Sequence, residues 1–522
     1  MNIAKVLQEQ SAQYGESPAL IETVRGRDRE LNFRALESAA ARLAGFLDRQ
    51  GIFAGDRVLI LHPMSIELYE FLIALFRIGA VAMFLDPSAG REYVERCLRI
   101  APPKAFFGSA KAHLLRLWIP GLRRVEQNFC SRLVAGTMRI SLDIGGPEMA
   151  AFAPAEDETP ALITFTSGST GEPKAAERTH GFLLAQHRAM QAALQLRAGT
   201  FDLTTLPMFV LANLASGVTS VLPNADMRRP GSISAGPVLR QLQRLPITTM
   251  AASPALAARL TVECRKQSLR IECMERVFLG GAPVFPEDLR RARAVFPNAE
   301  ITAVYGSTEA EPIAEVSLSS ISQSDFEAME TGRGLLSGAP IGSIDLCIVR
   351  SRWSEPIEDL DPRQFAALCL EPETIGEIVV SGGHVLRGYL NGEGDGETKF
   401  RCGGKVWHRT GDLGRLDASG RLWLMGRASA AIEDHRGTIY PFAVECAAQQ
   451  VPGVRRSALA GVDGRRILVV EAASRQTIDG LRSRLAWAKL DEIHRLPSIP
   501  TDKRHNAKVD YVALRRLISK SR

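Results

Sequence analysis

The densest chemistry in the chain lies in ITFTSGSTGEPKAAE, from Ile163 to Glu177. An apolar run leads into six small hydroxyl or glycine residues, Thr166, Ser167, Gly168, Ser169, Thr170 and Gly171, and Lys174 follows. With so little side-chain bulk, backbone N–H groups and hydroxyls can close around phosphate oxygens while Lys174 supplies positive charge. The spacing disfavours a Walker loop, because Gly168 is followed by STGEPK rather than by four residues and GK[ST]. The competing interpretation is a plain Ser/Gly turn between a strand and a helix.

Five further segments repay attention. They are FLGGAPVFP with Gly281, Ala282 and Pro283; VYGSTEAEP from Val304 to Pro312; HRTGDLG from His408 to Gly414; the pair Gly426 and Arg427; and RHNAKVD with Lys508. Each alone is weak, and a turn aspartate such as Asp412 is usually a cap. Together with the 163–177 string, and in this order, they resemble the adenylate-forming superfamily of acyl-CoA synthetases, luciferases and adenylation domains.

That resemblance implies a carboxylate attacking the α-phosphorus of ATP, two anions meeting while pyrophosphate leaves, so cations and donors are essential. By resemblance, Lys174 and the Thr166–Thr170 hydroxyls handle the phosphates. Gly306, Ser307 and Thr308 belong to the nucleotide-binding turn, with Thr308 at the α-phosphate. Glu309 holds magnesium, a hard cation suited to a carboxylate. Tyr305 stacks on adenine beside Gly281, Ala282 and Pro283, and Asp412 accepts from the ribose with Arg427 close by. Lys508 is the lysine that a small domain swings in to stabilise the developing charge. The cofactors implied are ATP and Mg2+.

Two departures bear on the second step. At the interdomain hinge, where acyl-CoA synthetases carry GRxDDxIKxxG, this chain reads GRASAAIEDHRGTIYP, so Ser429 and Glu433 replace the Asp and Lys. In the family that hairpin helps to build the pantetheine tunnel, so thioester formation with CoA is in doubt. In LPMFVLANLASG, Val210 and Leu211 stand where many relatives have histidine, an apolar wall suited to an alkyl-bearing acid. These features, with the step Leu85, Asp86 and Pro87, are similar to the olefin β-lactone synthetases, in which a β-hydroxy acid is adenylated and its own hydroxyl closes the ring. The alternatives are a ligase passing the acyl group to CoA, a carrier protein or an amine, and a non-catalytic nucleotide-binding homologue.

The elements that must position these residues are those of a layered α/β protein. Leu36, Leu43 and Phe46 recur at helical spacing, Arg57–Leu61 reads as a buried strand, Glu67–Ile78 as a helix, and AVAMFLDP as the next strand. The segment WHRTGDLGRLDASGRLWLMGR reads as a hairpin from its Gly and Asp turns. At 522 residues the chain exceeds one core. The expected division is a large nucleotide- and acid-binding domain over 1–427 and a small α+β unit over 428–522. By resemblance the former consists of layered α/β subdomains with a distorted barrel, and the latter is a mobile lid.

A net charge of +6, from 64 Lys and Arg against 58 Asp and Glu, is too mild for a nucleic-acid partner. The basic end from Lys503 to Arg522 reads as a solvated tail, with a membrane surface or an acidic partner as the other options. The eight cysteines form no CxxC pair or Cys/His cluster, which points away from structural zinc and a disulfide framework and toward a reducing, cytoplasmic setting. The N-terminus carries no secretory pattern. The stretch Leu203–Pro223 reads as buried core rather than a membrane span.

Overall fold

The computed structural model describes residues 1–140, 144–167, 172–227, 233–350, 355–472, 474–501 and 508–520. The chain divides into two compact units. The first contains residues 1–227, 240–251 and 383–395, and the second 228–239, 252–382 and 396–522.

The first unit holds a seven-stranded sheet in the order Met138–Arg139, Gln127–Cys130, Ala105–Gly108, Arg57–Leu61, Val81–Phe84, Pro160–Ser167, Pro173–Thr179. All neighbours are parallel except the last pair, which is antiparallel. Helix Phe33–Arg49 precedes Arg57–Leu61, and helix Ile66–Ile78 supplies the crossover that the parallel pairing of Arg57–Leu61 with Val81–Phe84 requires. The Asn32 side chain caps the first by accepting from Ala35 N at 2.8 Å, and Ser65 caps the second. Gly79, at φ +74°, ends the second in the left-handed region. A second group of strands sets Pro18–Val24 antiparallel to Arg27–Asn32 and parallel to Thr219–Val221, which in turn pairs with Phe201–Thr204. Most of Leu203–Pro223 is buried in short strands and the helix Pro207–Ala215, as the sequence indicated.

In the second unit, strand Arg276–Leu279 runs parallel to Glu300–Ser307, and antiparallel pairing continues through Ala310–Ser317, Leu335–Pro340, Leu422–Arg427, Lys405–Leu416, Gly376–Gly382 and Ile344–Val349. The two end strands of the run from Leu335–Pro340 to Ile344–Val349 follow one another in the chain, joined by a short turn. Residues 432–518 have core clusters of their own around the sheet Val454–Val462, Arg465–Ala472 and Glu492–Arg495. They belong with 252–382 and 396–427 to the second unit.

One expectation needs correction. The end of the chain is not a solvated tail throughout: Tyr511–Lys520 is an amphipathic helix whose Leu514 and Ile518 are buried against Ala458, Ile467 and Val469. Cysteine spacing pointed away from a disulfide framework; one pair, Cys347 and Cys369, is bonded where Val349 bridges to Cys369, and among the described residues the other six cysteines are not disulfide-bonded. Their 22-residue separation is closed by tertiary pairing that local spacing does not reveal. No helix among the described residues is long and apolar enough to cross a membrane.

Candidate active site

The hairpin Lys405–Leu416/Leu422–Arg427 places Asp412 directly opposite Arg427. Arg427 Nε lies 3.2 Å from Asp412 Oδ1 and its Nη1 donates to the Thr410 carbonyl at 2.8 Å. The Asp412 amide donates to Thr410 Oγ1 at 3.1 Å, and Tyr305 Oη donates to Asp412 Oδ2 at 2.8 Å. Tyr305 therefore sits at the end of its strand with its hydroxyl fixed, and burial beside the Asp412 carboxylate holds that phenol far above its ordinary pKa. The same carboxylate raises the pKa of Arg427, so the guanidinium stays charged.

These groups line a cavity of about 570 Å³ in the second unit. Gly281, Ala282, Pro283, Gly306, Ser307 and Lys508 line it as well. Gly281 needs its missing side chain, since its φ is +78°. Among the described residues the buried Ser307 Oγ has no hydrogen-bond partner, a polar atom left for something in the cavity to satisfy. Thr308 and Glu309 form the half-buried turn after Ser307. No group of three or more candidate metal-ligating side chains occurs among the described residues.

The Thr166–Lys174 segment belongs to the first unit. Its loop joins two antiparallel strands rather than a strand and a helix, with Thr166 opposite Lys174 and Ser167 opposite Pro173. Gly168, Ser169, Thr170, Gly171 and the Ser167 side chain lie outside the described residues. Lys174 is 8% exposed, and its Nζ sits 5.7 Å from the Tyr389 ring centroid. A Cβ on Gly394 would come within 2.5 Å of that nitrogen, so a glycine at 394 leaves the lysine its room.

Several positioning groups were missed by sequence reasoning. Arg409, next to Thr410, is wholly buried against Glu377, with Nη2 to Oε2 at 2.7 Å, and this pair anchors the strand that carries Asp412. His408 is buried near Lys399 and its imidazole is held neutral, pushed down to about 3. Glu445, on the helix Pro441–Gln449, accepts from Tyr511 Oη at 2.8 Å and from Leu459 N at 2.9 Å, and burial pushes its carboxyl up to about 7. Tyr511 is three residues beyond Lys508 and was the one available signal. At the hinge, the Ser429 carbonyl accepts from Arg515 at 3.3 Å. Glu433 lies in the hairpin Ile432–Asp434/Gly437–Ile439, whose Asp434 is gripped by Arg436 and Arg466 at 2.8 and 2.7 Å.

The family model described as AMP-binding enzyme matches residues 7–390. An olefin beta-lactone synthetase from Stenotrophomonas maltophilia (strain K279a) is 32% identical over 509 residues, 92% of this chain and 90% of that protein. A 2-succinylbenzoate–CoA ligase from Bacillus subtilis (strain 168) is 26% identical over 496 residues, 91% and 92% of the two chains. Among solved structures, an amide bond synthetase from Marinactinospora thermotolerans superposes with a TM-score of 0.80 at 21% identity, covering 99% of both chains, and so shares the fold.

Proposed function

Because the chain belongs to the AMP-binding enzyme family, which activates carboxylic acids as adenylates, we propose that it activates a β-hydroxylated or fatty acid with ATP and then closes that acid to a β-lactone. One observation carries the activation step: the cavity gathers Gly281–Pro283, Tyr305, Asp412, Arg427 and Lys508 in one place. Tyr305 and the Gly281–Pro283 shelf receive the adenine. Asp412 and Arg427 receive the ribose, and Ser307 and Thr308 meet the α-phosphate. Lys174 and the residues from Thr166 to Gly171 take the β- and γ-phosphates. Glu309 would hold a magnesium ion, which would supply charge neutralisation at the phosphates.

The acid's carboxylate oxygen forms a bond to the α-phosphorus as the bond to pyrophosphate breaks, and Lys508 offsets charge that grows on the transferring group. In the second step the β-hydroxyl oxygen attacks the acyl carbon, its proton is released and AMP departs with the electron pair. Both reactants are in one molecule, an advantage that reaches ~10⁵ M in effective concentration. Support for closure comes from the substituted hinge residues Ser429 and Glu433 and from the likeness to an olefin beta-lactone synthetase over 92% of the chain.

The second interpretation, transfer of the acyl group to CoA, draws on the likeness to a 2-succinylbenzoate–CoA ligase. Incubation of the protein with ATP and a β-hydroxy acid, with and without CoA, followed by mass spectrometry, separates the two. Lactone and AMP without CoA are expected, and AMP release strictly dependent on CoA would overturn the lactone reading. Lys508→Ala should lower acid-dependent pyrophosphate exchange by about 100-fold or more while ATP binding survives.

A further inference from the structure

Outside the nucleotide site, the first unit exposes an apolar group in the helix and turn that follow strand Ala105–Gly108 of its seven-stranded sheet. The helix Ala110–Leu114 and the turn Leu115–Leu117 bury Ala112 and His113 on one side. On the other, Leu114, Leu117 and Trp118 stand 53%, 65% and 60% exposed. Their i, i+3, i+4 spacing makes them neighbours. Leu133, 87% exposed, lies in the loop that returns to this turn, where Arg116 Nη1 donates to the Gly136 carbonyl at 3.5 Å. Four of the eleven exposed large apolar side chains among the described residues thus fall within 20 positions.

This stretch of chain is mainly basic. Between 110 and 139 the chain carries Lys111, Arg116, Arg123, Arg124, Arg132 and Arg139 against the single acid Glu126. Among the described residues Lys111, Arg123, Arg124 and Arg132 are exposed and take part in no ion pair, so they impose no internal structural demand. Exposed leucines and a tryptophan, with exposed cations on the same stretch of chain, match the chemistry of an anionic lipid interface, where indole rings settle at headgroup depth and basic side chains meet phosphate. A protein partner would more often be met by a pocket that receives such anchors or by charges of both signs.

We propose that this face docks the enzyme on the surface of an anionic lipid bilayer, with Leu114, Leu117, Trp118 and Leu133 entering the headgroup layer and the arginines of the same stretch contacting lipid phosphate. The test is flotation of the full chain with phosphatidylcholine vesicles that contain or lack phosphatidylglycerol. Binding to the anionic vesicles is expected, weakened by added salt. Leu117→Ser with Trp118→Ser, and separately Arg123→Glu with Arg124→Glu, should each reduce it by about tenfold or more. Both variants change exposed positions, and unaltered adenylation of a short water-soluble acid would show that they fold. The proposal is overturned if the wild type stays unbound, if it binds neutral and anionic vesicles equally, or if both variants bind like the wild type. It is likewise overturned if the apolar variant instead abolishes a dimer detected by sedimentation.

Discussion

Glu445→Gln should remove a pH-dependent weakness from the second unit. In the wild type the Glu445 carboxyl is 1% exposed and is met by Tyr511 Oη and Leu459 N. Burial raises its pKa from 4.5 to about 7. Between those values the folded chain keeps a proton that the unfolded chain has released, so stability falls as pH rises through that window. The difference corresponds to ~3 kcal/mol when the full window is traversed. The glutamine side chain can accept the same two hydrogen bonds and has nothing to ionise. The variant should therefore match the wild type near pH 5 and exceed it at pH 8, by roughly 5 °C in melting temperature. Melting curves of both proteins at half-unit pH steps, read as the difference between them, cancel the other titrating groups. Parallel curves across the whole range would refute the argument, because they would mean that Glu445 ionises in the fold as freely as in the unfolded chain.

Three further outcomes are expected. Glu377→Gln strands the wholly buried Arg409 guanidinium and should cost ~3–5 kcal/mol in chemical denaturation, while the double variant Glu377→Met/Arg409→Met should recover most of it. Asp412→Asn removes the charge that both Tyr305 and Arg427 address. It should raise KM for ATP by about tenfold or more with a smaller change in kcat, measured by pyrophosphate exchange. Gly338→Ala places a Cβ 1.9 Å from the Glu315 carbonyl oxygen at φ +84°, and should cost more than ~2 kcal/mol, visible as a lowered melting temperature.

Much of the architecture was legible because it is written in short-range periodicity. The helix around Leu36–Phe46, the strand Arg57–Leu61 and the hairpin carrying Asp412 and Arg427 all appear where apolar spacing and turn residues indicated. Of the residues that the motifs singled out, Gly281–Pro283, Tyr305–Ser307, Asp412, Arg427 and Lys508 line one cavity, whereas Thr308, Glu309 and Lys174 are not in its lining. What stayed hidden depends on contacts between distant positions. The Arg409–Glu377 pair spans 32 residues, the Glu445–Tyr511 bond 66, and the closeness of Gly394 to Lys174 more than 200. The helix Tyr511–Lys520 was obscured for another reason: its basic residues dominate the composition, although Leu514 and Ile518 decide its packing.

The arrangement around Asp412 has a thermodynamic consequence. Both of its carboxylate oxygens are already committed, one to Tyr305 and one to Arg427, so the rotamers of three side chains are selected during folding rather than upon encounter with a nucleotide. The entropy of arranging them is charged to the stability of the unit, not to the affinity for ATP. Under the proposed function, a ribose arriving there would meet a finished template and need only to share the spare lone pairs of a carboxylate whose position is already set.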